Sequence, residues 1–448
     1  MSDDCCAMGG AGGDCCLLRL PDDSLFLGLD CSTHSPPPLP AAALASLDFT
    51  TALTSNQPTR SLKATVLDAG LGIVATDSVH FDSDLPHYGT RGGVLRDQDP
   101  DERGRIVSPP LMWAEALDLL LGRLRSRADL RRVAAVSGSA QQHGSVYWAK
   151  GAGAALAALD PAAGEGLAPQ LALAGPESPV WMDSSTAAQC REVEAAMGGP
   201  LRLARLTGCR AHRRCTGPQI RKMHQTPAAG AMAPNLEERI GKLAPAHAVA
   251  GKIAPYFVQR FQFSSSCLVI QWSGDNPNSL AGLTLSNPGD LAISLGTSDT
   301  VFGVTNSPEP TLEGNIFPNP VDPKTYMVLL CYKNGSLTRE GGKLGFYYKE
   351  HEILPPLPVG FHRYIVKNFT SGPLDEMVEE EVDKFDPPSE VRAIIEGQFM
   401  SMRGHAEQCG LPVPPKRIIA TGGASSNPAI LKIMASIFGC PVYTSQRS

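Results

Sequence analysis

Two stretches of the chain, one in each half, repeat the same order of residue types, and few folds use that order twice. The stretches "LFLGLDCST" (25–33) and "DLAISLGTSDT" (290–300) each run from an apolar strand, through an acid or a glycine, into a turn of small hydroxyl residues. Strand patterns alternate with helical patterns around both, which is typical of α/β layers. The repeat predicts two similar α/β domains, at 25–250 and 251–448, after a disordered tail at 1–24.

Apolar periodicity predicts where the strands of these domains lie. The first strands are expected at Leu25–Cys31, Leu62–Leu67 and Ile73–Phe81. Further buried strands are expected within 131–148 and 267–276, where apolar runs end in polar loops. In the second of these, a Gly-Asp-Asn turn follows the strand.

Helix signals and turn composition predict the connecting segments. A helix is expected over 108–128, capped by Ser108, and another after a cap at Ser184 or Ser185. Residues 151–177 are rich in Ala, Gly and Pro and are expected to form a surface loop. Residues 417–444 predict a strand, a Gly-Gly turn, a helix and a final strand.

Composition excludes several classes of protein. The chain has 448 residues, of which 42% are hydrophobic and 19% charged, and its net charge is −6, which argues against binding to nucleic acid or to anionic membranes. It has no apolar run of ~18 residues that would predict a membrane span. The twelve cysteines include no CxxC pair, so a zinc ribbon is not expected. A reducing, cytoplasmic location is expected.

Three turns offer groups that can face phosphates. Asp30 ends the first strand and can hold Mg²⁺, which prefers oxygen ligands. Backbone N–H groups and hydroxyls in the first two turns can approach a phosphate, and the Gly-Gly turn before a helix can receive a nucleotide. The candidate residues are Thr33 in the first turn, Gly296 and Thr297 in the second, and Gly422, Gly423, Ala424 and Asn427 in the third. Each turn alone is more typical of an ordinary turn or cap, but their order along the chain is the layout of the actin-like ATPase fold.

Four polar residues are candidates for contact with a substrate that carries hydroxyl groups. Asp275 follows a buried strand, where a carboxylate can accept the proton of a hydroxyl during phosphoryl transfer, and Asn276 beside it can orient that substrate. His143 lies in a polar loop after another strand, and Arg214 lies in "HRRCTG". An Asx turn, a structural histidine and a solvated surface arginine are the alternative interpretations.

Long motifs resemble a known family. They span most of residues 25–445 and include "GLDCST", "SVHFDSDLPHYGTRGGV", "SGSAQQHGSVYW", "SPVWMDSSTAAQC", "GDNPNSLAG", "GDLAISLGTSDT" and "IIATGGASSN". With these motifs the chain resembles the carbohydrate kinases of the actin-like ATPase superfamily, most closely the eukaryotic xylulose kinases. The resemblance implies two actin-like (ribonuclease H-like) domains with a cleft between them, the first binding sugar and the second ATP.

The resemblance also implies a reaction and its residues. The reaction is ATP- and Mg²⁺-dependent phosphorylation of D-xylulose at O5. Asp275 resembles the catalytic base, and the sugar contacts are His143, Arg214, Asp275 and Asn276. The ATP contacts are Gly422, Gly423, Ala424 and Asn427, with Asp30 and Thr33 on one side of the phosphates and Gly296 and Thr297 on the other. The oligomeric state is left open.

The chain departs from the family pattern in ways that favour an alternative. Residues 34–61, rich in proline, interrupt a loop that is short in the family, and family segments are missing near 225, near 340 and at the C-terminus. Loss of large core side chains costs ~2–5 kcal/mol each, against a domain stability of ~5–15 kcal/mol. The alternative expectation is therefore a poorly folding, impaired or non-catalytic module that binds nucleotide or sugar.

Overall fold

The computed structural model of the chain describes most of its residues. They are 21, 23–31, 61–96, 104–225, 240, 242–295, 299–332, 337–340, 343–349, 351–353, 356–367 and 378–444. The expected tail up to residue 20 and the inserted segment up to residue 60 lie outside them.

Twenty strands and ten α-helices are described. The strands are β1 Leu25–Cys31, β2 Ser61–Asp68, β3 Ile73–His80, β4 Leu95–Arg96, β5 Ile106–Ser108, β6 Val133–Ala140, β7 Ser178–Pro179, β8 Val249–Lys252, β9 Leu268–Ile270, β10 Ser273–Gly274, β11 Asp290–Ser294, β12 Asp299–Thr305, β13 Asn315–Pro318, β14 Tyr326–Tyr332, β15 Leu337–Glu340, β16 Lys343–Tyr348, β17 Gly360–Lys367, β18 Val378–Glu381, β19 Arg417–Thr421 and β20 Val442–Thr444. The helices are α1 Phe81–Asp84, α2 Pro110–Leu124, α3 Ala152–Ala157, α4 Ala187–Ala196, α5 Pro200–Thr207, α6 Thr216–His224, α7 Pro255–Phe261, α8 Asp275–Gly282, α9 Pro387–Gln408 and α10 Pro428–Phe438.

The first sheet has the order β3-β2-β1-β6-β9-β8, with β10 also paired to β6. Strands β1, β2 and β3 are antiparallel neighbours, whereas β6 runs parallel to β1, β9 and β10. Alternate residues of β1 face a core that α2 and α7 cover, and that core contains Leu25, Leu27 and Leu29. The carboxyl ends of β1, β6 and β10 therefore lie at one edge of this sheet.

The second sheet repeats that plan. Its order is β13-β14-β12-β11-β19-β20, with β11, β12 and β14 antiparallel and β19 and β20 parallel to β11. Helices α9 and α10 contribute Phe399, Met402 and Met434 to the core that it buries. The predicted repeat of strand and turn in the two halves thus corresponds to equivalent strands of two similar sheets, which confirms the expected fold class. Two smaller sheets, β15-β16-β17-β18 and β4-β5-β7, complete the described strands.

Helix α8 connects the two large sheets. It follows directly from β10, which pairs with β6 of the first sheet, and its Leu280 is fully buried against Ala292 and Phe302 of the second. Strands β8, β9 and β10 all belong to the first sheet, although the sequence placed a boundary near residue 250. We propose that the boundary lies instead after α8, at about residues 283–289.

The expected helix caps are wrong in both cases. Helix α2 begins at Pro110 after Pro109, and the Ser108 hydroxyl donates to the carbonyl of Gly93 instead of capping the helix. Helix α4 begins at Ala187 after Thr186, beyond Ser184 and Ser185, and has no side-chain cap. Ser108 and Thr186 donate their hydroxyl hydrogen bonds to tertiary partners, the carbonyls of Gly93 and Arg213, which sequence periodicity does not reveal.

Two loop predictions are also corrected. The segment 151–177 contains α3 and a 3₁₀ turn at Ala168–Gln170, and Leu167 and Ala168 are buried in the first core. Asp275, which the sequence places in a turn, is instead the first residue of helix α8. In the part of the chain that the structure describes, no helix is both long and apolar enough to cross a membrane.

Candidate functional site

A row of polar residues crosses the carboxyl edge of the first sheet. Asp30 of β1 pairs with Lys63 of β2 on one side and with Ser139 of β6 on the other, and Ser139 pairs with Ser273 of β10. Asp275 follows two residues after Ser273, at the start of α8. The register therefore brings the two predicted carboxylates, Asp30 and Asp275, to the same edge.

Asp275 is a buried carboxyl group with an unusual proton affinity. The residue is 8% exposed. Burial, aided by the neighbouring carboxylate of Asp30, raises the pKa of Asp275 to about 7, although backbone N–H groups of Asn276 and Gln142 act in the opposite direction. A carboxyl group with such a pKa takes up and releases protons near neutral pH, as a general base must.

Asn276 is held beside Asp275 by a short hydrogen-bond network. Its backbone N–H donates to Asp275 Oδ1 at 2.8 Å, and its Nδ2 donates to Gln142 Oε1 at 2.8 Å. Its Oδ1 is buried and has no hydrogen-bond partner among the described residues. Since a buried acceptor normally has a donor, this oxygen is suited to a substrate hydroxyl.

His143 lies next to Gln142 in the loop after β6. Its backbone has a φ of 65°, in the left-handed region that non-glycine residues rarely adopt and that is common at functional sites. Burial, together with the nearby His212, lowers the pKa of His143 to about 4. The ring is therefore neutral at pH 7 and carries one hydrogen-bond donor and one acceptor.

Arg214 reaches toward the same region from the segment before α6. Its guanidinium carbon lies 5.6 Å from the centroid of the Trp181 ring, a cation–π arrangement. Burial raises the pKa of Cys331 on β14 to about 12, and both Asp275 and Arg214 are close enough to influence that thiol. The first sheet, the Arg214 segment and the second sheet thus converge around Cys331.

The Gly-Gly turn lies at the equivalent edge of the second sheet. The N–H of Leu295 donates to the Thr421 carbonyl at 2.9 Å, which places the end of β11 against the end of β19. Gly422 has a φ of 83°, and a Cβ there would lie 2.3 Å from the Leu295 oxygen, whereas a Cβ on Gly423 would meet nothing within 4 Å. The turn is therefore closely packed on one side and open on the other.

Asn427 has a structural function that the sequence left as an alternative. Its side chain accepts a hydrogen bond from the Ala429 N–H at 2.9 Å and so caps helix α10. Gly423 and Ala424 belong to a 3₁₀ turn immediately before it. The N-terminus of α10 therefore follows directly after this turn, and negative charge is favoured near a helix N-terminus.

The residues around Asp30 are compatible with a magnesium ion. Mg²⁺ in phosphoryl-transfer sites is commonly bound by one or two carboxylates together with phosphate oxygens and waters. Asp30 supplies one such carboxylate near Asp275, and within the described residues no group of three or more His, Cys, Asp or Glu side chains could hold a metal by itself. This arrangement suits an ion that arrives with a phosphorylated substrate.

The structure leaves some predicted residues undescribed and adds others. Thr33, Gly296 and Thr297 lie outside the described residues. The sequence analysis missed Gln142, Trp181, His212 and Lys63, all of which contact or influence predicted site residues. Gln142, Trp181 and His212 lie inside motifs quoted above, so their place in those motifs was the available signal. Lys63 depends on the pairing of β1 with β2.

Known proteins resemble this chain over most of its length. Residues 346–448 match the C-terminal domain of the FGGY family of carbohydrate kinases. Xylulose kinase 2 of Arabidopsis thaliana is 51% identical over 507 residues, covering 96% of this chain and 86% of that protein. Xylulose kinase of Mus musculus is 42% identical over 461 residues, covering 86% of this chain and 81% of that protein.

Solved structures share the fold. A xylulose kinase from Brucella ovis superposes with a TM-score of 0.65 at 16% identity, covering 94% of this chain and 86% of the other. A ligand-bound xylulose kinase from Lactobacillus acidophilus gives a TM-score of 0.63 at 15% identity and covers 95% of this chain and 87% of the other. At the higher identities of the plant and mouse proteins the relationship extends beyond the fold, and this chain belongs to the xylulose kinase family of the FGGY carbohydrate kinases.

Proposed function

We propose that the chain transfers the γ-phosphoryl group of ATP to O5 of D-xylulose, with Asp275 as the general base. The observation that carries this proposal is the position of Asp275, buried at the carboxyl edge of the first sheet and at the start of the helix that reaches the second. Its pKa of about 7 lets it accept the hydroxyl proton as the oxygen attacks phosphorus.

The residues around Asp275 orient the sugar. Asn276 offers its buried carboxamide oxygen to one hydroxyl, and the neutral ring of His143 donates to or accepts from another. Arg214, steadied on the face of Trp181, offers a positive guanidinium to a further sugar oxygen and to the phosphorylated product. Positioning of this kind supplies a large part of the rate in phosphoryl transfer.

The second sheet binds the nucleotide. Gly422 and Gly423 provide a backbone platform, and the end of α10 that Asn427 caps favours the negative charge of ATP. Asp30 would hold Mg²⁺, which would supply positive charge to the transferring phosphates. We place Thr33, Gly296 and Thr297 beside the phosphates, and we propose that the enzyme acts in the cytoplasm.

One observation favours a second candidate, an impaired or non-catalytic module that binds nucleotide or sugar. The chain covers 86% of the Arabidopsis relative. Along the chain after residue 225, where the sequence predicts the loss of a family segment, Leu243 and Val249 are 85% and 54% exposed. Exposed apolar side chains at such a position are expected where packing partners have been lost.

Replacement of Asp275 separates the two candidates. We expect Asp275→Asn to lower kcat for D-xylulose phosphorylation by about 10²–10⁴-fold, the usual contribution of a general base. D-Xylulose binding, measured by calorimetry, should persist because the amide keeps the shape of the carboxyl group. Phosphorylation within threefold of the unmodified chain would contradict the assignment.

An Asp-to-Asn substitution at Asp68, at the opposite end of the strands of the first sheet, is the matched control. Asp68 ends β2 beside Leu25 and accepts hydrogen bonds from the N–H groups of Gly70 and Gly72. Asp68→Asn should leave kcat unchanged within a factor of two. A binding module would show no sugar-dependent transfer in any of these proteins.

A further inference from the structure

The strands that lead to the candidate base contain one extra residue. Val136 of β6 pairs with Val269 of β9, and Ser139 of β6 pairs with Ser273 of β10. The interval between these pairs is three residues along β6 but four along the opposing chain, so a β-bulge lies within 270–272. Bulges are over-represented next to active sites, where they redirect a side chain.

The bulge determines which residue lies opposite Ser139. In a continuous strand that position would belong to Trp272, whereas the extra residue gives it to Ser273. Because side chains alternate between the two faces of a sheet, a shift by one residue exchanges the faces of all the residues that follow. The place of Asp275, two residues after Ser273 at the edge that it shares with Asp30, therefore depends on the bulge.

The side chain of Trp272 fixes the bulge by lying on Gly138. A Cβ on Gly138 would be 2.3 Å from Cδ2 of the indole and 2.4 Å from Cε2 and Cε3, so only glycine admits the ring at this position. Trp272 is 39% exposed, so burial in a core does not account for where it lies. The close contact with Gly138, which is opposite the bulge on β6, does account for it.

Two further contacts extend this arrangement to the start of α8. The Gly138 carbonyl accepts a hydrogen bond from Asn278 Nδ2 at 3.3 Å. A Cβ on Gly274 would be 2.5 Å from Cγ of Gln142, and Gln142 Oε1 accepts a hydrogen bond from Asn276 Nδ2. Gly138 is thus in contact both with the bulge before the candidate base and with the helical turn after it.

We propose that Trp272 is a positioning residue for phosphoryl transfer, and that its contact with Gly138 holds the carboxyl group of Asp275 in place. The indole sets the path of the chain through the bulge, and that path sets where α8 begins. The inference rests on the proposed role of Asp275 as general base, although the contact itself can be tested without activity.

Urea unfolding tests the contact in the full chain, in Gly138→Ala, in Trp272→Ala and in the variant that carries both substitutions. Gly138→Ala should lower the unfolding midpoint, because its Cβ and the indole cannot occupy the same space. In the Trp272→Ala background the same methyl group meets no ring, so it should cause no further loss. Losses that add in the double variant would contradict the contact.

Gly251→Ala is the matched control for this cycle. Gly251 is a glycine of β8 in the same sheet, and a Cβ there would meet nothing within 4 Å. The substitution should therefore lower neither the unfolding midpoint nor the activity.

Steady-state kinetics on the same proteins, corrected for the folded fraction by circular dichroism, tests the positioning. Because a misplacement of about 1 Å can cost 10²-fold, Gly138→Ala and Trp272→Ala should each lower kcat/KM for D-xylulose by about 10–10²-fold. The double variant should be no less active than Trp272→Ala, and Trp272→Phe, which keeps a flat ring, should recover most of the loss. KM for ATP should change by less than about twofold, because the Gly422–Gly423 turn belongs to the second sheet.

The outcomes separate this inference from the proposed function. Full activity in folded Trp272→Ala, an equal loss in Trp272→Phe, or a parallel rise in KM for ATP would each overturn the positioning role, even if Gly138→Ala failed to fold. A natural chain without D-xylulose-dependent transfer, or Asp275→Asn with full transfer, would instead refute the proposed function. The unfolding midpoints would still decide whether Trp272 and Gly138 act as one unit.

Discussion

Asp275, the general base that we propose, combines that role with a cost in stability. Its carboxyl group is buried beside that of Asp30, so its charged form is disfavoured in the folded chain. That environment raises the pKa into the range where a general base works, and the same shift means that ionisation at neutral pH weakens the fold.

The first prediction concerns the pH dependence of stability. The pKa of Asp275 rises from 3.8 to about 7 on folding, so its ionisation penalty is absent below pH 3.8, grows as the pH rises and is complete above about pH 7. Asp275→Asn removes the penalty. The variant should therefore be more stable than the natural chain at pH 8, by up to about 4 kcal/mol, with most of that gain lost at pH 4. Urea unfolding at the two pH values measures it, and a gain independent of pH would contradict the shifted pKa.

The second prediction separates Asp275 from His143 by pH. The value of kcat/KM for D-xylulose should rise with an apparent pKa of about 7, as Asp275 loses its proton. His143→Asn should raise KM by about tenfold through a lost hydrogen bond but leave that apparent pKa unchanged, because the pKa of His143 is about 4. A profile that loses its acidic limb in His143→Asn would assign the proton to the histidine instead.

Among the elements, strands were easier to predict from the sequence than the contacts at their ends. Strands β1, β2 and β3 agree with the apolar pattern to within a residue, and the strand–turn–helix–strand of residues 417–444 is also confirmed. The caps at Ser108 and after Asp183 failed because those hydroxyl groups bond to distant carbonyls and neighbouring side chains instead. Pairing of β8 and β9 with the first sheet depends on tertiary contacts, which periodicity does not encode.

In the candidate site, likewise, some residues could be predicted from the sequence, whereas their contacts could not. Asp275 and Asn276 could be chosen from the sequence because this polar pair follows an apolar run and lies within a motif that resembles the family's. Gln142 and Trp181 could not be assigned partners, because their contacts cross between segments far apart in the chain. The register that places Asp30 beside Lys63 and Ser139 is likewise set by sheet pairing and not by local pattern.

A pair of adjacent glycines provides the third prediction. Gly422→Ala should destabilise the chain by about 1–3 kcal/mol, because the left-handed backbone and the Leu295 oxygen exclude a Cβ. Gly423→Ala is the matched control: its Cβ meets open space, so stability should be unchanged while KM for ATP rises if the nucleotide lies on this platform. Thermal unfolding and ATP-dependent kinetics measure the two effects, and equal stability losses would contradict the structure of the turn.

On the scale of the whole molecule, the two large sheets share a run of five equivalent strands, β3-β2-β1-β6-β9 and β14-β12-β11-β19-β20. Helix α8 connects the sheets, with Asp275 at its start and Leu280 in the core of the second sheet. Movement of one sheet against the other would therefore carry the candidate base toward or away from the nucleotide platform. With the proposed function, closure of this kind would exclude water and limit wasteful hydrolysis of ATP.

The most direct test of the proposed reaction is ADP formation by the purified chain with ATP and Mg²⁺, with D-xylulose, with glycerol or with no added sugar. We predict ADP formation that depends on D-xylulose, with glycerol giving no more than the background without sugar. Folded protein that releases no ADP in response to D-xylulose would contradict the account and favour the non-catalytic module.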